Sequence, residues 1–267
     1  MDAVHEMRGL ILDMDGVLWR GNQSLPGVAE LVMALRSNSI PLLLVTNNAS
    51  ASPEGVQSRL RTMGAEIETK EVLGSSEATI AWLCERLPPP APVYAIGEQM
   101  LRDTLVQAGY TLHQQSDGVS AVVVGIDRQV DWSKMTEASL AIRAGAIFVG
   151  TNADPSFPME RGLAPGNGAI LAAIQSATGI DPVVIGKPEP HLFKLALKRL
   201  GTDPSYTLML GDRLETDILG GQRAGLVTAL VLTGVTKRDE LQQASIQPDW
   251  IFEDLPDFLD ALLTNTP

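Results

Sequence analysis

The sequence predicts an α/β protein, a parallel sheet covered by helices on both faces and interrupted by a second α/β region. Three observations predict it. Short apolar runs alternate with amphipathic helical stretches along the chain, the pattern of parallel strands joined by crossover helices. Four polar segments each follow an apolar run: Leu12-Asp13-Met14-Asp15-Gly16-Val17, Val45-Thr46-Asn47-Asn48, Gly186-Lys187-Pro188 and Leu210-Gly211-Asp212-Arg213-Leu214-Glu215-Thr216-Asp217. In open parallel sheets ligands sit just outside the carboxyl ends of strands, so these segments read as parts of one site. Finally, Leu87-Pro88-Pro89-Pro90-Ala91-Pro92 cannot continue a helix and reads as a connector to a second series.

The elements follow in order. A strand at Leu10 to Leu12 leads to a helix from Gly27 to Arg36, a strand from Pro41 to Val45, and a helix from Pro53 to Met63 closed by Gly64. Val72-Leu73 and a helix from Ser76 to Leu87 complete the first series. Beyond the prolines come a strand Val93 to Gly97, helix Glu98 to Ala108, strand Ala121 to Ile126, helix Trp132 to Ala144, strand Ala146 to Thr151 and helix Gly168 to Ala177, capped by Gly179. None of the four polar segments lies in this second series. It reads as an insert over residues 85–182, in a core formed by residues 1–84 and 183–267. The core resumes with strands Val183 to Ile185, Thr207 to Leu210 and Thr228 to Leu232.

Composition bounds the partners. With 267 residues, 45% of them hydrophobic and 19% charged, the chain can bury a substantial core. A net charge of −12 without a Lys/Arg cluster argues against nucleic acid or an anionic membrane as partner. The single Cys84 forms no intramolecular disulfide. Met1 to Arg8 match no signal peptide, and no apolar run nears the length of a membrane span, so the expected location is the cytoplasm.

Phosphoryl transfer asks for a nucleophile, a proton donor for the leaving oxygen, a divalent cation and fixed groups around the phosphate oxygens. Asp13 and Asp15, two residues apart where a strand becomes a turn, suit the first two tasks. A carboxylate attacks a phosphate dianion only when their repulsion is neutralised, as a hard Mg²⁺ with oxygen ligands does. Asp212 is the natural further ligand, with Asp217 near enough to steady the metal's surroundings. Lys187 is a point charge that can reach phosphate and nucleophile, and Thr46 with the amides of Asn47 and Asn48 can grip the remaining oxygens. Alone, each piece has an ordinary reading: Asp-x-Asp as a turn, Thr-Asn-Asn as a helix cap, Lys187 as a surface lysine. Their joint occurrence in this order carries the signal. Trp19, just after the first segment, either lines a substrate entrance or packs its loop.

Asp13-x-Asp15-Gly16, Thr46, Lys187 and Gly211-Asp212-x-x-x-x-Asp217 resemble the four motifs of the haloacid dehalogenase (HAD) superfamily of phosphohydrolases. Gly150-Thr151-Asn152-Ala153-Asp154 and Gly162-Leu163-Ala164-Pro165-Gly166-Asn167-Gly168 narrow the resemblance to the NagD-type branch, p-nitrophenylphosphatase- and phosphoglycolate phosphatase-like, although Ala153 stands where that branch often has proline. The resemblance implies a Rossmann-like core with strand order 3-2-1-4-5 and an inserted α/β cap that often mediates dimers. It implies a Mg²⁺-dependent hydrolase of a small phosphate monoester. Asp13 would be the nucleophile, forming an aspartyl-phosphate, and Asp15 the general acid and then base. Asp13, the Asp15 carbonyl and Asp212 would bind Mg²⁺; Thr46, Asn47, Asn48 and Lys187 would hold phosphate; Asn152 and Asp154 would act from the cap on substrate. A phosphotransferase or phosphomutase would use the same Asp13 and pass the phosphoryl group to a sugar, and a catalytically weak binding homologue would keep only the fold. Phosphate release without an acceptor separates these alternatives. A glycosyltransferase using Asp-x-Asp would leave Lys187 and Asp217 unexplained.

Overall fold

The computed structural model describes residues 6–49, 52–159 and 161–264. The chain divides into two compact units. The first comprises Met1–Thr46, Pro53–Leu73 and Lys187–Pro267; the second comprises Asn47–Ser52 and Gly74–Gly186.

The first unit is built on a six-stranded sheet. Its order is Trp250–Phe252, Val227–Val231, Thr207–Gly211, Gly9–Leu12, Leu42–Thr46 and Val72–Gly74. This is the expected 3-2-1-4-5 arrangement with one further strand on the late edge. Gly9–Leu12 lies at the centre and pairs in parallel with both neighbours, Leu12 opposite Leu210 on one side and Leu44 on the other. Gly9–Leu12, Leu42–Thr46 and Thr207–Gly211 are buried throughout, as parallel strands covered on both faces must be, which is why they read as continuous apolar runs. Val28–Ser37 buries Val28, Leu31, Val32 and Leu35, one helical stripe. Pro190–Leu200 buries Leu192, Phe193 and Ala196 in the same way.

The second unit carries a five-stranded sheet in the order Val183–Val184, Ile147–Gly150, Ala121–Val124, Pro92–Ile96 and Thr111–His113, all paired in parallel. Alternate residues of its central strands face two separate apolar clusters. Tyr94, Ile96, Val122 and Val124 pack with the helices Trp132–Arg143 and Asn167–Thr178. Val93, Ala95, Ala121 and Val123 pack with Ile80, Leu83, Leu101 and Leu105. An antiparallel ribbon, Ser156–Met159 with Gly162–Pro165, completes the unit.

Two expectations are corrected. Val183–Val184 does not return to the first sheet; it pairs with Val149 and Gly150 as an edge of the second. Two valines specify a strand and nothing about its neighbour, and exposure of Val183 marks an edge position. The helix Ser75–Arg86 likewise belongs to the second unit, because Ile80 and Leu83 are spent on the cluster around Val93 and Tyr110. Its amphipathic stripe was legible, but the surface meeting that stripe was not.

Candidate active site

Asp13 is the first residue past the central strand. Its backbone N–H still donates to Leu210 O at 2.9 Å, so the ladder fixes where the carboxylate emerges. Asp212 follows the neighbouring strand Thr207–Gly211, and Thr46 ends the strand on the other side. All three are buried. Lys187 reaches this cluster from far along the chain and is 4% exposed. Its Nζ donates to Asp13 Oδ1 and to Asp217 Oδ1, both at 2.6 Å.

Asp217 is fully buried, and its bonding gives it a structural task. Oδ2 accepts from the backbone N–H groups of Asp212 and Arg213, each at 3.1 Å, while Oδ1 takes the lysine. A π-helical turn, Leu214–Ile218, curls the chain back so that the carboxylate caps its own loop. Asp212 is arranged differently. Oδ2 accepts from Val235 N–H at 2.7 Å, and Oδ1 is buried with no hydrogen-bond partner among the described residues. Gly16, with φ +91°, passes so close that a Cβ there would collide with Asp212 Oδ2. The first motif's glycine is therefore required both by its backbone conformation and by this approach.

The charges of the cluster do not balance. Three buried carboxylates surround one ammonium. Burial pushes Asp13 up to about 8, with Lys187 pulling it back and Asp217 and Asp212 adding to the rise. Burial, then the charge of Asp217, pushes Asp212 up to about 6, against the Val235 N–H and Lys187. Burial works against the charge on Lys187, but Asp13 and Asp217 outweigh it and hold the ammonium protonated. One oxygen each from Asp13, Asp212 and Asp217 lie within 4.8 Å of one another. An all-oxygen donor set, surplus negative charge and the orphaned Asp212 Oδ1 fit a hard divalent cation. Both oxygens of Asp217 are already engaged, whereas Asp212 keeps Oδ1 without a hydrogen-bond partner among the described residues.

Asp15 is exposed at the start of a tight turn, and its Oδ1 accepts from Trp19 Nε1 at 2.8 Å. The remaining expected residues fall in the second unit and form a network there. Asn152 Nδ2 donates to Asn47 O at 2.8 Å, its Oδ1 accepts from Asp154 N–H at 3.1 Å, and Asn47 Nδ2 donates to Asp154 Oδ1 at 3.2 Å. Asn48 is half-buried beside them in the chain. Asn167 Nδ2 clamps the loop through Asn152 O at 2.7 Å and Val124 O at 3.2 Å. A Cβ on the adjacent Gly168 would meet the Ala153 carbonyl, so Gly-Asn-Gly is the seat on which the Asn152–Asp154 loop rests. Sequence reasoning missed Asn167 and the bond from Trp19 to Asp15. Asn167 stood inside a quoted motif without a task, and the pairing of an indole with a carboxylate four residues earlier depends on how the turn folds back.

A parallel sheet that gathers a buried carboxylate–lysine cluster at the ends of its central strands has the form of a phosphohydrolase core. Comparisons agree with the geometry. The haloacid dehalogenase-like hydrolase profile matches residues 10–111, and a second, HAD-hydrolase-like profile matches residues 184–258. The chain is 40% identical over 255 residues to an acid sugar phosphatase of Staphylococcus saprophyticus, covering 96% of this chain and 98% of that one. Among solved structures, a p-nitrophenyl phosphatase from Archaeoglobus fulgidus superposes with a TM-score of 0.90 at 34% identity, covering 96% of this chain and 99% of that one. A glycerol phosphate phosphatase from Mycobacterium tuberculosis, solved in complex with magnesium, gives 0.84 at 37% identity, over 96% of this chain and 77% of that one. The chain belongs to the haloacid dehalogenase-like hydrolases, in their NagD-type branch of phosphohydrolases. Among the described residues no helix is long and apolar enough to cross a membrane.

Proposed function

We propose that this protein is a Mg²⁺-dependent phosphomonoesterase that hydrolyses a small phosphorylated metabolite through an aspartyl-phosphate on Asp13. The observation that carries this reading is the buried Asp13–Lys187–Asp217 chain beside an Asp212 oxygen that has no hydrogen-bond partner among the described residues. An Asp13 carboxylate oxygen attacks phosphorus while the bond from phosphorus to the leaving oxygen breaks, and Asp15 gives that oxygen a proton. Asp15 then takes a proton from the water that attacks the aspartyl-phosphate, releasing inorganic phosphate and restoring Asp13. Lys187 and Thr46, with the amides of Asn47 and Asn48 that continue the same strand end, hold the phosphate oxygens. Asp13, the Asp15 carbonyl and Asp212 would hold Mg²⁺, which when bound offsets the repulsion between nucleophile and phosphate dianion.

The acid sugar and glycerol phosphate phosphatases among the relatives support a sugar or polyol phosphate as substrate class. The network of Asn47, Asn152 and Asp154 supports assigning the choice of leaving group to the second unit as a cap. The test is release of inorganic phosphate from sugar phosphates and glycerol phosphate with Mg²⁺ and no acceptor alcohol. Turnover should vanish on chelation and fall on the order of 10⁴-fold in a folded Asp13→Asn protein. Undiminished activity in that variant would remove the covalent mechanism. Phosphate transfer only in the presence of an acceptor would identify a phosphotransferase instead.

A further inference from the structure

Asp13 and Asp212 are locked by buried hydrogen bonds, whereas Asp15 is exposed on a turn. An exposed carboxylate samples several rotamers, yet a proton donor must present one oxygen within hydrogen-bond reach of the leaving group. The chain supplies a restraint. Leu18 N–H and Gly16 N–H bond to Met14 O and Trp19 O at 2.8 and 2.7 Å, so the backbone folds back and returns Trp19 alongside Asp15. Trp19 then opens a two-residue antiparallel ribbon with Gln23–Ser24. The indole is 3% exposed, and its N–H, which can only donate, spends itself on Asp15 Oδ1 at 2.8 Å.

The support behind the indole is equally specific. The Arg59 guanidinium lies over the ring at 4.0 Å from its centroid and also donates to Gly21 O at the ribbon's tip. Arg20, next in the ribbon, donates to Thr233 O, and Thr233 Oγ1 donates to Gly16 O at 2.6 Å. Had packing been the only requirement, phenylalanine would fill the position; the N–H is the part that packing leaves unexplained.

We propose that Trp19 is a positioning residue for the general acid. Its indole N–H fixes Asp15 through Oδ1 and leaves Oδ2 to carry the transferred proton, and Arg59, stacked on the ring, holds Trp19 in place. This rests on the reading of Asp15 as acid and base. Specificity for leaving groups that need protonation is then set in part by a residue that acts only through Asp15.

The experiment compares kcat/KM for glycerol phosphate, whose alkoxide leaves only when protonated, with that for p-nitrophenyl phosphate, whose phenolate leaves unaided. The ratio reports the step up to departure of the leaving group and is insensitive to later hydrolysis of the aspartyl-phosphate. Trp19→Phe removes the donor and keeps a ring under Arg59; Arg59→Met removes the clamp and keeps the indole; Asp15→Asn is the reference. Trp19→Phe should lower kcat/KM for glycerol phosphate by about 10-fold or more and that for p-nitrophenyl phosphate by much less, in the direction of Asp15→Asn, with Arg59→Met smaller in the same sense. A normal ratio in Trp19→Phe or, should that variant not fold, in Arg59→Met, or a parallel fall on both substrates, while Asp15→Asn shows the selective loss, would overturn the role of Trp19 alone. An unchanged ratio in Asp15→Asn would overturn it together with the assignment of Asp15.

Discussion

Asp13 and Lys187 are 174 positions apart in the chain and 2.6 Å apart in space, and the chemistry of the site begins with that bond. Without a cation the cluster carries more negative charge than one lysine balances, and Asp13 is raised to about 8 by burial, Lys187 opposing and Asp217 and Asp212 adding. A carboxyl whose folded value lies above its unfolded one of about 3.9 stabilises the fold at low pH and loses that contribution as pH rises through the folded value. In chelator, wild type should therefore lose stability relative to Asp13→Asn between about pH 5 and pH 8, because the amide has no proton to release. Thermal melts of the pair across that range check it, and a constant gap would show that Asp13 ionises normally. Mg²⁺ at about a hundred times its Kd should stabilise wild type by about 2.7 kcal/mol, and Asp212→Asn should remove most of that shift, since it weakens the proposed ligand whose Oδ1 has no hydrogen-bond partner among the described residues. A full shift in the variant would move the cation elsewhere. At this scale the motif residues were legible because their types match the chemistry in an ordered set. That Asp217 caps its own loop was not, because it depends on which backbone N–H groups a turn directs at the carboxylate.

Elements were legible where periodicity was strong. The helices Val28–Ser37, Pro53–Thr62 and Trp132–Arg143 fall within a residue or so of their expected spans. The ribbon at Trp19–Arg20 and the short strands Thr111–His113 and Ser156–Met159 were not seen, since two to four residues carry no usable alternation. One join between elements is exposed to test. Glu71 closes a capping box on the turn Thr69–Glu71, accepting from Glu68 N–H at 2.8 Å, and takes Arg36 from the last turn of Val28–Ser37 through both guanidinium nitrogens at 2.6 and 2.5 Å. Burial raises the Glu71 carboxyl, but the Arg36 and backbone hydrogen bonds outweigh it and hold it below the usual range. A depressed carboxyl stabilises the fold above its unfolded value of about 4.3 and loses that contribution as pH falls through the folded one. Glu71→Gln should cost about 1–2 kcal/mol in denaturant melts near neutrality, with the difference closing below about pH 4. An equal cost at both pH values would make the loss one of packing.

At the scale of the whole chain, the residues assigned to phosphoryl transfer and to substrate choice are shared unevenly between two compact units. Asp13, Asp15, Thr46, Lys187, Asp212 and Asp217 belong to the first, and Asn47, Asn48, Asn152 and Asp154 to the second. That membership was hidden from the sequence, where Thr46-Asn47-Asn48 reads as one motif; the unit boundary falls inside it because Asn47 is bonded to Asn152 and Asp154, more than a hundred positions on. Asn152 is 4% exposed and spends its amide at both ends, Nδ2 on Asn47 O and Oδ1 on the Asp154 N–H, whereas Asp154 is half-buried and is held through Oδ1. Different outcomes follow for the two residues. Asn152→Ala takes one donor from the Asn47 carbonyl, which keeps Ser75 Oγ, and removes the acceptor of the Asp154 N–H, so it should lower thermal stability by about 1–3 kcal/mol and weaken turnover on every substrate alike. Asp154→Ala should leave stability nearly unchanged and alter kcat/KM for a preferred sugar or polyol phosphate by about 1–3 kcal/mol, the scale of one lost polar contact, while moving the value for p-nitrophenyl phosphate much less. Melting curves with the two kcat/KM values in each variant decide the matter. If Asp154→Ala depressed both substrates in parallel at unchanged stability, Asp154 would serve the chemical step, and the choice of leaving group would have to be sought on other residues of the second unit.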